Sequence, residues 1–200
     1  FIGFVATFIA TALGTLAALG LSRPHMPYKG LIMAILISPM IVPLIITAAG
    51  MFFFYARINL VYSFTGIILA HVALATPFVV ITVTATLVGF DMNMVKASQS
   101  LGAKPLRTFF KIIMPLILPG VISGALFAFI TSFDEVVIVM FMASLDQLTI
   151  PKQMWAGIRQ EISPVILCMA TCLVVLSIFL LTTVELLRRR SAKLRGITAR

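Results

Sequence analysis

Charged residues are scarce in this sequence, and acidic residues above all. The 200 residues include 15 lysines and arginines, 6 aspartates and glutamates and 2 histidines, so that 10% of the chain is charged while 61% is hydrophobic. A soluble domain typically has about 25% charged residues, which help to cover its core with polar surface. The scarcity excludes a soluble globular domain and indicates an all-α integral membrane protein.

Cysteine and the motifs of metal or nucleotide chemistry are also scarce. The two cysteines, Cys168 and Cys172, stand four residues apart in one apolar run, so they share a helix face. We interpret them as small buried residues at a helix contact, since this spacing is typical of neither a disulfide framework nor a zinc site. The chain contains no His-Glu-x-x-His and no Gly-x-x-x-x-Gly-Lys-Ser/Thr motif. We therefore expect no enzyme activity, no metal and no cofactor in this chain.

The chain carries a formal net charge of +9. A nucleic-acid-binding protein would present its basic residues on a soluble face, together with aromatic or groove-reading elements. Here most basic residues stand beside long apolar runs, which is the distribution that membrane topology produces. We therefore expect this protein to lie in the lipid bilayer and to bind no nucleic acid.

Five stretches are long and apolar enough to cross a bilayer, because a membrane-spanning helix needs about 20 mostly apolar residues. These stretches are Phe1–Leu21, Leu31–Tyr55, Phe64–Val88, Leu116–Met142 and Pro164–Leu187. They predict a polytopic bundle of five transmembrane helices that forms a single domain over residues 1–200. Within the connection at residues 143–163, we expect a short helix at Thr149–Arg159 that lies at the membrane surface and contains Trp155. An anchor to the membrane surface and a role in docking an external partner are equal alternatives for this helix.

Proline and glycine interrupt several of these spans. They are Pro39 and Pro43 in the second span, Pro77 in the third, and Pro119, Gly120 and Gly124 in the fourth. Proline removes a helical hydrogen bond, so we expect kinks, and irregular backbone at membrane depth is tolerated only against protein or a water-filled cavity. The pattern favours a cavity-forming bundle over a simple anchor. The glycine pair also predicts close approach of a second helix.

The positions of lysine and arginine predict the orientation, because cytoplasmic loops carry the excess. If the basic tail at residues 188–200 lies inside, alternation leaves Arg57, Lys152 and Arg159 outside and places the other twelve of the 15 basic residues inside. We therefore expect a cytoplasmic C-terminus, a cytoplasmic segment at residues 91–115 and an extracytoplasmic connection at residues 143–163.

The segment at residues 91–115 is basic and amphipathic. Asp91 and Asn93 are typical helix N-caps, since their side-chain oxygens accept the unpaired amides of a first turn. Gly102 is a typical helix end, because glycine adopts the left-handed conformation without a Cβ clash. Pro105 suits the first position of a following helix. The segment therefore predicts a helix, a tight corner and a second helix.

Acidic residues appear within the fourth predicted span, as Asp134 and Glu135. Ionisable groups at membrane depth are expensive unless they face a cavity or find a partner. Adjacent helical residues point about 100° apart, so one carboxylate could line a pathway while the other caps or pairs internally. A cation-guiding group and an interhelical clamp remain alternatives. His71, in the third span, is a candidate for a helix contact or a substrate contact.

The spacing of the segment resembles the signature loop of permeases of ATP-binding-cassette (ABC) importers. That pattern is Glu-Ala-Ala, three residues, Gly, nine residues, Ile-x-Leu-Pro. This chain has, at the same spacing, Lys96-Ala97-Ser98, Gly102 and Ile112-x-Met114-Pro115. The departures are lysine for the acid, serine for an alanine and methionine for leucine. The lysine reverses a charge, which can change the partner residue that it meets.

The resemblance implies an inner-membrane permease subunit in bacteria that pairs with a second permease, two ATPase subunits and an extracytoplasmic binding protein. ATP hydrolysis would occur on the separate ATPase subunits. Such permeases usually have six spans, so we expect a first helix to be missing upstream of Phe1, where the chain has no methionine. The residues expected to contact the ATPase are Lys96, Ala97, Ser98, Gln99, Ser100, Leu101, Gly102, Ala103 and Pro105.

Two further runs resemble the polyamine branch of that family. They are Ser132-Phe133-Asp134-Glu135 and Leu148-Thr149-Ile150-Pro151 with Met154-Trp155. This resemblance implies transport of a small cationic amine such as putrescine or spermidine, with Phe133, Asp134, Glu135 and His71 as candidate pathway residues. An ABC permease for an opine, an amino-acid derivative or a metal chelate is the alternative. A membrane channel or scaffold without ATPase coupling would leave the Lys96–Pro115 spacing unexplained.

Overall fold

The computed structural model describes residues 1–23, 26–88, 91–160 and 164–194, and within these ranges the regular structure is helical. The helices are, in chain order, α1 (Ile2–Leu21), α2 (Lys29–Ile41), α3 (Leu44–Arg57), α4 (Phe64–Val88), α5 (Met92–Ser100), α6 (Pro105–Thr108), α7 (Met114–Phe133), α8 (Val137–Met142), α9 (Ile150–Gln160) and α10 (Pro164–Leu194). A π-helical turn, Phe109–Ile113, joins α6 to α7. Residues 195–200 of the predicted basic tail and residues 161–163 of the predicted connection lie outside the described residues.

Four helical segments of the described chain are long and apolar enough to cross a membrane. They are α1, α4, the continuous run Pro105–Phe133 and the Pro164–Thr183 part of α10. Helices α2 and α3 together form a fifth candidate, bent by 105°. The predicted all-α bundle with five spans is confirmed when this bent pair counts as one span.

The second span is broken, and not the single kinked helix that the sequence predicted. Val42 has an extended backbone (φ −70°, ψ 136°), and Pro43 then precedes the first residue of α3. A residue before proline is pushed out of the helical region by the proline ring. By contrast, Pro77 and Pro119 lie inside α4 and α7 without ending either helix.

The fourth span begins and ends earlier than the predicted Leu116–Met142. Its helix begins at Pro105 and runs through the π-helical turn to Phe133, so residues 105–115 are its first turns and not a loop. Proline at the first helical position is favourable because its missing N–H has no helical partner there. After Phe133 the chain leaves the helix at Asp134, and a separate short helix, α8, follows.

Helices α1, α4 and α7 pack together around small residues. Their shared core includes Ala6, Ala10, Val79 and Ile117, all fully buried. A Cβ atom on Gly124 would lie 2.5 Å from Thr82 Oγ1 and 2.9 Å from Val79 Cα, so only glycine permits this approach of α7 to α4. The close contact that Gly120 and Gly124 predict is confirmed.

Helix α10 packs against α7 and α9 but buries none of its spanning stretch. Cys168 and Cys172 are exposed on it, so the interpretation of both as buried residues at a helix contact is wrong for this chain. The apolar surface of a spanning helix is compatible with lipid, so burial within the chain is not required there.

Candidate functional site: a helical corner and two carboxylates

The helical corner, residues 91–108, begins with the capped helix α5. The Asp91 carboxylate accepts a hydrogen bond from the Asn93 backbone N–H at 2.9 Å, so Asp91 is the N-cap. Asn93, the other cap candidate, is the second helical residue and donates this bond. The predicted helix start is therefore confirmed, with one residue rather than two acting as its cap.

Helix α5 ends in a Schellman motif at Gly102, whose φ is +77°. The Ala103 N–H donates to the Ser98 carbonyl at 3.0 Å, and the Gly102 N–H donates to the Gln99 carbonyl at 2.9 Å. Both bonds satisfy carbonyls that a helix end otherwise leaves unpaired. Pro105 then occupies the first turn of α6. The predicted helix, corner and second helix are confirmed.

A buried hydroxyl pair links the two arms of the corner. Ser98 Oγ lies 2.9 Å from Thr108 Oγ1, and it also donates to the Val95 carbonyl at 2.9 Å. A serine hydroxyl has one hydrogen, so Thr108 must be the donor in the bond between the two hydroxyls. Thr108 was not among the predicted site residues, and its only sequence signal is a polar residue ten positions after Ser98.

The outward surface of the corner combines apolar and basic side chains. Leu101 is 88% exposed and Leu106 73%, and Phe110, just after the corner, is 63% exposed. Lys96, Lys104 and Arg107 are exposed as well. Of the nine predicted contact residues, Ser98 faces inward and Ala103 is half-buried, while the rest are exposed. Large exposed apolar side chains rimmed by charge are typical of a protein-binding surface.

The two adjacent carboxylates lie at opposite ends of a helix break and have different surroundings. Glu135 is 6% exposed, and its carboxylate accepts hydrogen bonds from the N–H groups of Ile138, at 2.9 and 3.1 Å, and Val139, at 3.4 Å. These amides are the unpaired donors of the first turn of α8. Glu135 therefore acts as an internal cap, one of the alternatives that the sequence left open.

His71 reaches the same region from α4 and makes the helix contact. Its Nδ1 lies 2.7 Å from Ser132 Oγ on α7, and its Nε2 lies 4.0 Å from a Glu135 oxygen. The ring is 1% exposed. The structure thus brings His71 and Glu135 together, as parts of the packing between α4, α7 and α8.

Asp134 is exposed and borders two cavities. The first, of about 560 Å³, is lined also by the α2–α3 break from Pro39 to Leu44. The second, of about 210 Å³, is lined also by Phe133 and Trp155. The sequence analysis did not predict that the α2–α3 break lines a cavity, although Pro39 and Pro43, four residues apart, indicated irregular backbone there. Asp134 and Phe133 are therefore placed where a solute could reach them.

The helical bundle and the helical corner are the features of a membrane transport subunit, and the comparison with protein families gives its class. Residues 10–193 match the model of the family described as "Binding-protein-dependent transport system inner membrane component", and the chain belongs to this family. It is a permease subunit of an importer of the inner membrane, as the resemblance predicted.

Particular relatives lie in the polyamine branch. The chain is 32% identical over 190 residues to the spermidine/putrescine transport system permease protein PotC of Haemophilus influenzae, covering 95% of this chain and 74% of that protein. PotC of Escherichia coli K12 is also 32% identical, with 95% and 72% covered. The putrescine permease PotI of the same strain is 31% identical over 170 residues, covering 81% of this chain and 60% of PotI.

Solved structures share the fold. The inward-facing MetNI methionine ABC transporter matches with a TM-score of 0.72 at 18% identity, covering 95% of this chain and 91% of that chain. An amino acid ABC transporter with histidines matches with a TM-score of 0.64 at 19% identity, covering 94% and 88%. The predicted type of bundle is therefore confirmed, while these two structures say nothing about the solute.

Proposed function

We propose that the chain forms half of the translocation pathway for a small cationic amine, such as putrescine or spermidine. The observation that carries this proposal is the Asp134 carboxylate, which is exposed between two cavities in a chain with only 6 acidic residues. The polyamine permeases among the relatives support the same solute class.

The surroundings of Asp134 suit an ammonium group. Phe133 and Trp155 line the smaller cavity together with the carboxylate, and aromatic faces attract cations, by about 0.5–2 kcal/mol depending on desolvation. Glu135 is already engaged with the α8 amides, so of the two carboxylates Asp134 is the one available to a solute. Glu135 also borders the larger cavity, but its carboxylate oxygens are engaged with the α8 amides, so we assign Glu135 and His71 the support of the pathway wall.

Asp134→Asn tests the solute proposal. The amide keeps the shape but removes the charge, so we expect uptake of labelled putrescine and spermidine to fall at least about tenfold, equivalent to about 1.4 kcal/mol, with complex assembly intact. Asp146→Asn, an exposed acid between α8 and α9, is the matched control. Unchanged kinetics of amine uptake in Asp134→Asn would remove this residue from the pathway. If the parent importer takes up a non-amine solute and no amine, the opine, amino-acid or chelate alternative is favoured.

We propose further that the corner docks on an ATPase subunit, on which ATP is hydrolysed. The support is the exposed apolar and basic surface around Leu101 and Lys96, together with the spacing that resembles the importer signature. Because Lys96 replaces an acid, we expect the partner to present a carboxylate to it. A second permease, identical or different, and an extracytoplasmic binding protein complete the assembly, with the corner and the C-terminus in the cytoplasm.

Gly102→Asp tests this docking. A charged, branched side chain would strain a backbone at φ +77° and disturb the corner, so we expect the ATPase subunit to be lost on co-purification. Gly30→Asp, at a position with open space around it, is the control. Normal co-purification and normal transport by Gly102→Asp would contradict coupling through the corner.

A further inference from the structure

The short helix α8 is held at both ends by side chains of opposite charge. Glu135 accepts from the N–H groups of its first turn, as described above. At the other end, Lys152 Nζ on α9 donates to the carbonyl of Val139 at 3.3 Å and to the carbonyl of Ala143 at 3.2 Å. Both charged groups therefore bind the backbone of Val139, the acid through its N–H and the lysine through its carbonyl.

This arrangement supplies partners for backbone groups that a six-residue helix leaves unpaired. The first four N–H groups and the last four C=O groups of a helix lack helical partners, so a helix this short depends on caps along most of its length. The helix dipole favours an anion at the N-terminus and a cation at the C-terminus. The two side chains match these signs.

Two further hydrogen bonds, both through Tyr62, hold the C-terminal end of α8 and the residues after it. The Tyr62 N–H donates to the Met142 carbonyl at 3.0 Å, and Gln147 Nε2 donates to the Tyr62 carbonyl at 3.0 Å. The C-terminal end of α8 is thus joined both to α9, through Lys152, and to the start of α4. Among the described residues, Lys152 is the side chain that bonds α9 to the carbonyls at the end of α8, so a displacement of α9 away from α8 breaks these contacts.

We infer that Lys152 is a positioning residue of the pathway, paired with Glu135 through α8, and that the pair holds the Asp134–Val136 segment against the two cavities. Val136 lines both cavities beside Asp134 and directly precedes α8. Any rotation or fraying of α8 therefore moves this wall. The inference rests on the proposed pathway for its role in transport, but not on the identity of the solute.

The test uses a thiol reporter in the assembled importer. Val136→Cys is introduced in a Cys168→Ser/Cys172→Ser background and labelled in membrane vesicles with a small charged methanethiosulfonate, without any amine. Lys152→Met and Glu135→Gln each leave one charge unpaired, so we expect each to change the labelling rate by about 5- to 30-fold, as a loss of one to two kcal/mol would. Lys152→Arg, which keeps a cationic donor, restores a rate near that of the parent.

The double variant decides whether the two residues act as a pair. If they do, Lys152→Met/Glu135→Gln changes the rate by less than the product of the two single changes, because no uncompensated charge remains. Asp146→Asn, at an exposed acid between α8 and α9, is the matched control and leaves the rate unchanged.

If the rate change of the double variant equals the product of the two single changes, the pairing is overturned. If neither single variant changes the labelling rate, the positioning role is overturned. If Lys152→Met does not assemble, Lys152→Gln, which keeps a donor without the charge, is measured in its place, and parent-like labelling overturns the need for the charge. The labelling experiment uses no solute. Its result therefore stands even if Asp134→Asn does not change amine uptake and the proposed solute is wrong.

Discussion

At the scale of single residues, two adjacent acids have unlike roles because the backbone between them changes direction. Asp134 ends α7 and is exposed to cavities, whereas Glu135 turns inward and caps α8. A buried carboxylate is tolerated at membrane depth when its lone pairs are filled by backbone donors. The same two residues in one continuous helix would have differed only by an angle of about 100°.

A glycine on α7 allows a prediction at this scale. Gly124→Ala places a Cβ atom 2.9 Å from the Val79 Cα, a backbone atom that cannot rotate away, so we expect overpacking to destabilise the bundle by about 1–3 kcal/mol. The midpoint of thermal unfolding in detergent measures this loss. Gly20→Ala on α1, with no atom within 4 Å of the added Cβ, is the control, and an equal midpoint for both variants would contradict the close packing of α4 and α7.

At the scale of elements, the corner is held by two backbone bonds at the end of its first helix and by one side-chain bond between its two helices. The Schellman motif closes α5, and the hydroxyl pair of Ser98 and Thr108 joins α5 to α6. Since α6 continues through the π-helical turn into α7, a force on the corner acts directly on a spanning helix. The exposed residues of the corner form its outer surface. The buried pair of Ser98 and Thr108 connects that surface to the spanning helix.

Thr108→Val tests the hydroxyl pair. Valine has nearly the same shape but no donor, so Ser98 loses a buried hydrogen bond of about 0.5–1.5 kcal/mol. We expect the corner to loosen and more ATP to be hydrolysed for each solute molecule imported, while Thr108→Ser retains the parent ratio. An unchanged ratio in Thr108→Val would show that the Schellman motif alone keeps the corner stiff.

Gly102→Ala is a second test of the corner. An L-residue in the left-handed region costs about 1–2 kcal/mol, so we expect the unfolding midpoint and the yield of co-purified ATPase to fall together. Gly30→Ala is the matched control, because Gly30 lies in α2 with open space around it. A stable Gly102→Ala variant with full ATPase yield would contradict a requirement for φ +77° at this position.

At the scale of the whole molecule, the basic residues predict which end of the bundle meets the ATPase. Twelve of the 15 basic residues lie on the side expected to be cytoplasmic, and the corner belongs to that side. Single cysteines at Lys104 and at Asp146, in a Cys168→Ser/Cys172→Ser background, test this orientation in intact cells. We expect an impermeant reagent to label the Asp146 site and spare the Lys104 site, and labelling in the opposite sense would reverse the proposed topology.

Features that depend on neighbours in the sequence could be predicted from the sequence alone. The span count follows from apolar length, the end of α5 from Gly102 and the start of α6 from Pro105, because each reflects local backbone chemistry. The family could be identified because its signature is a local spacing.

Only the tertiary structure decided which groups meet. His71 and Ser132 are 61 residues apart in sequence, and Lys152 reaches back 13 residues to the Val139 carbonyl. Such partners leave no periodic trace, since a hydrogen bond depends on position in space and not on spacing along the chain. For the same reason the sequence could place two acids together, but only the break after Phe133 left Asp134 exposed and made Glu135 the buried cap of a helix.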